Sequence, residues 1–168
     1  MDTVPPGVLV SPSRDTAWAM SQEGIEQRLL ERFRTNYLAF VEAFNRRDLE
    51  AAFERTPRDF VFDISSGIIA LDAADMLSPA VMHSREELIA FYRDWIEGFP
   101  DWHVDVEGFA EPTPGVLLVT FTVRGTGRVS GVPIDARITE VWDTRSRPIR
   151  VSQHREEAEA LEAAGLEE

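Results

Sequence analysis

Apolar residues recur at helical spacing from Ile25 through Leu29, Phe33, Tyr37, Phe40, Val41 and Phe44, which predicts a helix running to Arg46. Ser21 is a good N-cap ahead of Gln22 and Glu23 and marks the expected start. Asp48 can cap a second, short helix from Leu49 to Arg55. The stretch DFVFDIS, 59–65, alternates with period two and predicts a strand whose apolar face carries Phe60, Phe62 and Ile64. Ser84 and Glu87 form a capping box for a third helix, with Leu88, Tyr92, Trp95, Ile96 and Phe99 as its core stripe. Four strands follow closely, over 102–109, 116–125, 134–142 and 149–153, with GTGRVSG read as a hairpin turn. The closing EEAEALEAAGLEE predicts a helix ended by Gly165 at C′, with Leu166 as its apolar follower.

Two helices, a strand, a helix and then an antiparallel meander is an α+β order. The later strands leave no room for the crossover helices that a parallel sheet needs. Residues 1–20 carry three prolines and no sustained period, so they are expected to be an irregular or disordered extension, with a single domain over 21–168. Between the first strand and the third helix, SGIIALDAADMLSPAVMH is a long, unusually apolar connection, a candidate lid or subunit contact.

One alternation contains a misfit. In IDARITEVW, Ile134, Ala136, Ile138, Glu140 and Trp142 share a face, so an otherwise apolar stripe carries a carboxylate at Glu140. Either the strand ends there and Glu140 meets water, or an acid has been set into a pocket.

Composition narrows the chemistry. A net charge of −13, from 30 acidic against 17 basic residues, disfavours nucleic acid, whose phosphates are bound through clustered Lys and Arg. The absence of cysteine excludes disulfides, thiolate nucleophiles and cysteine metal sites. All 17 basic residues are arginine, so no lysine side chain can form a Schiff base. The longest mainly apolar run, GVLLVTFTV, is too short to span a bilayer, and the N-terminus lacks the pattern of a secretory signal, so a cytoplasmic protein is expected. His83, His103 and His154 are scattered without metal-ligand spacing, and no metal is expected.

AFNRRDLEAAF, FVFDIS, HSREELIAFYRDWIEGFPDWHVDV, RGTGRVSGVPIDARITEVWD and EALEAAGL together resemble the SnoaL-like branch of the nuclear transport factor 2-like superfamily, over about residues 20–166. MSQE and EALEAAGL are also similar to stretches of uncharacterised bacterial members, which implies a native start at Met20 and an upstream extension over 1–19. The resemblance implies a cone: a curved antiparallel sheet wrapped over about three helices, with a pocket between them. It also implies a homodimer through the outer sheet face. Members include polyketide cyclases, ketosteroid isomerases, limonene epoxide hydrolases, scytalone dehydratases and non-catalytic binding modules, so the fold alone does not choose a function.

Matched residue by residue, the isomerase's oxyanion-hole tyrosine falls on Phe40, its general base on Ile64 beside Asp63, and its second acid near Ile138. All three positions are apolar, which argues against steroid-isomerase chemistry. The Asp-Arg-Asp relay of the epoxide hydrolases also has no counterpart: VTFTV offers no Arg-x-Asp, and Gln153 stands near the last acid.

Glu140 is therefore the leading candidate acid–base residue, with Asp63 and His83 as further catalytic candidates. Gln153 shares a face with Ile149 and Val151 and can orient a ligand or a water. Trp142, Tyr37, Tyr92, Phe40 and Ile138 are candidate pocket walls, whereas Arg124 and Arg137 are expected on the outer face near Asp105 and Glu107. The expected ligand is a small hydrophobic organic molecule. If there is a reaction, it is cofactor-independent isomerisation, cyclisation, dehydration or epoxide opening. The alternative is a non-catalytic binding or dimerising module.

Overall fold

The computed structural model describes residues 14–67 and 81–166, with side chains from residue 27 onward. The elements run α1 (Arg14–Asn45), α2 (Leu49–Ala52), β1 (Phe60–Asp63), β2 (Val81–Met82), α3 (Arg85–Gly98), β3 (His103–Thr113), β4 (Val116–Thr126), β5 (Pro133–Asp143), β6 (Ile149–His154) and α4 (Glu157–Ala163). The six strands make one curved sheet in the order β2-β1-β6-β5-β4-β3. The α+β class expected from element order is the one observed.

Several boundaries differ from expectation. Helix α1 begins at Arg14 and not Ser21, because RDTAWAM contains neither Pro nor Gly to stop it. Helix α2 keeps its Asp48 cap but is only four residues long. The sheet is also not wholly antiparallel: β1 pairs in parallel with β6, Phe62 opposite Val151 and Asp63 opposite Ser152. The crossover here is about half of the chain, so short links between the later strands gave no hint of it. Most of the apolar connection considered as a lid, residues 68–80, lies outside the described residues.

Period-two alternation gives the sheet two different faces. On the inner face Val119, Phe121, Val123, Ile138 and Val151 join the aromatic stripes of α1 and α3 in the main core. Trp95 and Trp102, both almost completely buried, meet edge to face with ring centroids 5.1 Å apart. The outer face is covered in part by α4, whose Ala160 and Ala164 pack on Val116, Leu118 and Val141. Gly165 takes φ +73° and the Leu166 amide donates to the Leu161 carbonyl, the expected left-handed stop. The uncovered part carries a polar ladder in which Arg124 meets Asp105 at 2.9 Å and Arg137 meets Glu107 at 2.7 Å, as anticipated.

A side-chain amide fixes α1 over this sheet. Asn45 at the helix end donates from Nδ2 to the Val104 carbonyl (2.9 Å) and accepts from the Val104 amide (3.0 Å). That two-way clip sets which turn of α1 stands above which strand. Among the described residues, no helix is long and apolar enough to cross a membrane.

Candidate functional site

Between α1, α2, α3 and the inner sheet face lies a cavity of about 570 Å³. Its interior is mostly rings, because the i, i+4, i+7 spacing of Phe33, Tyr37 and Phe40 turns one stripe of α1 toward it. Phe53 from just after α2 and Tyr92 from α3 stack with centroids 5.5 Å apart and form part of the opposite wall. Exposed Arg32, Arg55 and Glu54 line the mouth, where Arg55 donates to Asn36.

Glu140 and Gln153 meet in this apolar surround. They are direct register partners on antiparallel β5 and β6, so their side chains leave the sheet on the same face as neighbours. The Gln153 amide Nε2 donates to Glu140 Oε2 at 2.8 Å. Two residues along β5, on the same face, Trp142 Nε1 donates to Glu140 Oε1 at 2.6 Å. The Tyr37 hydroxyl adds a weaker polar contact from α1. Glu140 is only 3% exposed and Gln153 only 2%. The strand therefore does not end at Glu140, and the acid is inside a pocket.

Burial raises the Glu140 pKa above the ordinary carboxyl value, while the bonds from Gln153, Trp142 and Tyr37 oppose the shift and do not cancel it. The hydroxyls of Tyr37 and Tyr92 are pushed up, first by burial and then by the neighbouring Glu140 charge, so both stay protonated. Gly67 keeps Gln153 in place from behind: a Cβ at that position would run into the Gln153 side chain.

The cavity brings together Glu140, Gln153, Trp142, Tyr37, Tyr92 and Phe40. It does not bring in the other three candidates. Ile138 is wholly buried in the core and does not line the cavity. Asp63 lies on the opposite face from Phe62, where its Oδ1 accepts from the Ser65 amide (2.9 Å) and hydroxyl (2.6 Å) and closes the strand in a turn. His83 is exposed, and its backbone amide donates to Glu87 Oε2 at 2.6 Å, one residue before the Ser84 cap that starts α3. His154 also points outward, with Nε2 2.8 Å from Ser152 Oγ, and burial lowers its pKa. Phe33, Phe53 and Trp102 are lining residues that periodicity assigned simply to the core or passed over. Among the described residues, no group of three or more His, Cys, Asp or Glu side chains is placed to hold a metal.

The SnoaL-like domain model matches residues 37–150, from the Tyr37 wall to the start of β6. The chain belongs to the SnoaL-like family. No curated protein matches it. The solved structures that it resembles are described as NTF2-like, ketosteroid isomerase-like or cystatin folds. An NTF2-like protein of unknown function from Burkholderia pseudomallei K96243 is 21% identical, with TM-score 0.57 over 77% of this chain and 94% of that one. A hypothetical protein with a ketosteroid isomerase-like fold from Catenulispora acidiphila DSM 44928, in complex with trimethylamine, is 14% identical, with TM-score 0.56 over 79% and 93% of the two chains. TerC, co-crystallised with polyporic acid, is 14% identical, with TM-score 0.57 over 79% and 95%. At these identities the likeness concerns the fold.

Proposed function

We propose that this SnoaL-like domain binds a small, largely apolar organic molecule in the ring-lined cavity and that Glu140 transfers a proton within it. The observation that carries the reading is a buried carboxyl in an apolar cavity with its pKa raised by burial. Such a group holds a proton at pH values where a surface glutamate has lost it, and so can serve as acid or base above the ordinary glutamate range. Similar folds holding trimethylamine or polyporic acid support a ligand-sized cavity in this architecture.

Among the described residues, Glu140 is the only buried carboxyl or imidazole in the lining, with Asp63 and His83 lying elsewhere. One group that takes and returns the same proton suits an isomerisation or a ring closure. A dehydration or epoxide opening would call on a second group. The same observation favours the second reading, a binding module without turnover.

A thermal-shift screen of apolar compounds followed by assay of each hit separates these. For a catalytic Glu140, Glu140→Gln should lower kcat/KM by about a hundredfold or more while the hit still binds. Unchanged turnover in the variant would remove Glu140 from the chemistry. Binding with no turnover in either protein would establish the binding module.

A further inference from the structure

The hydrogen bonds around Glu140 all run in one direction. Donors converge on the carboxyl group: Trp142 Nε1 on one oxygen, Gln153 Nε2 on the other, with the Tyr37 hydroxyl adding to them. Those donors are spent on Glu140. With Glu140 ionised, what is left over at the pair is acceptor capacity; the unpartnered donor of the lining, Trp102 Nε1, bonds to neither residue. Among the described residues Gln153 Oε1 is buried and has no hydrogen-bond partner, and each oxygen of the ionised carboxylate retains a further lone pair. The Tyr92 hydroxyl, beside the Gln153 amide, can turn either way. Among the described residues every ion pair lies elsewhere, so no cationic side chain neutralises Glu140.

Resting on the ligand-binding reading of the cavity, we infer that the molecule bound here presents an O–H or N–H donor to the Glu140–Gln153 pair, rather than a carbonyl or ether oxygen. The polarity is the reverse of an oxyanion hole, which aims free donors at a ligand oxygen. A hydroxyl would complete the acceptors, and an ammonium would in addition supply the missing counter-charge. The faces of Phe33, Phe40 and Trp142 can flank either, with a cation–π contribution for the ammonium. An unpaired buried acceptor costs free energy until a donor reaches it, so the preference is built into the site.

The test uses one skeleton with three ends: phenethyl alcohol, its methyl ether and phenethylamine, titrated into the full chain in alkaline buffer. Binding is followed by NMR through the Trp142 indole N–H. The alcohol and the amine should each bind at least about tenfold more tightly than the ether. In Glu140→Gln, which adds a donor to the site, that ratio should fall toward one. The amine's margin over the alcohol reads the counter-charge separately from the hydrogen bond. An ether that binds as well as the alcohol and the amine would overturn the donor assignment while leaving the cavity a binding site. Failure of all three to bind would overturn the ligand-binding reading and this inference with it.

Discussion

Protonation of Glu140 is linked to folding. Its pKa is raised in the folded chain, so the unfolded chain releases this proton at lower pH. Its stabilising contribution is complete below the ordinary glutamate pKa and is lost as pH rises through the raised one, at about 1.4 kcal/mol per unit of separation. Glu140→Gln cannot ionise. Urea unfolding should therefore find wild type losing stability relative to the variant as pH rises through that window. A difference that does not change with pH would contradict the buried, raised carboxyl. Gly67→Ala should destabilise by about 1–3 kcal/mol, because the new methyl displaces Gln153 in a packed region. Unaltered stability and an unaltered Trp142 indole signal would count against that packing. At this scale much of the site was legible. Strict alternation put Glu140 and Trp142 on the face of Ile138, and the same parity put Gln153 with Val151. Asp63 and His83 lie outside the cavity, because a strand end and a helix start hold polar residues for backbone reasons that resemble a site when read one residue at a time.

Among the elements, the clearest signals in the chain were local ones. The Ser84 cap forms as read, with Glu87 N donating to Ser84 Oγ at 3.1 Å, while the Glu87 carboxylate takes the His83 amide in place of that of Ser84; the Gly165 stop and Asp48 cap are likewise in place. The parallel β1–β6 pair had no such signature, since pairing between distant segments leaves no mark on the periodicity of either. Nor did the sequence show that Asn45 clips α1 to β3. Removing that clip tests how rigidly the aromatic wall is held. Asn45→Ala leaves the Val104 amide and carbonyl without their partner and should cost about 1–3 kcal/mol. Because the clip sets the height of α1, the variant should also weaken binding of any cavity ligand, read by the same titration. A stability loss with unchanged ligand affinity would show that α1 is positioned by its packing alone.

For the whole molecule, charge acts through repulsion. With −13 net and a pI near 4.6, the folded chain concentrates like charge on its surface. The ladder of Arg124, Arg137, Asp105 and Glu107 is exposed and offsets little of this. Raising salt from about 0.01 to 0.15 M shortens the screening length from roughly 30 to 8 Å. The melting temperature should rise by about 2–4 °C, the shift that a gain near 1 kcal/mol produces in a chain of this size. A falling melting temperature would mean that the ladder outweighs the repulsion. Acidification relieves the same repulsion, so the Glu140 linkage must be read as a difference between two proteins that share it.

The parallel pairing also orders events in time. Tyr37 and Phe40 leave the ribosome early, but β5 and β6, which bring Glu140, Trp142 and Gln153, come in the last quarter of the chain. Until then β1 has no β6 to lie against, and the ring-bearing stripe of α1 has only the β3–β4 hairpin to cover. The nascent protein therefore carries an aromatic surface only partly covered until its last strands are made, the condition under which chains aggregate or engage chaperones. The pocket that makes the folded molecule receptive is thus the feature that leaves its unfinished form most vulnerable.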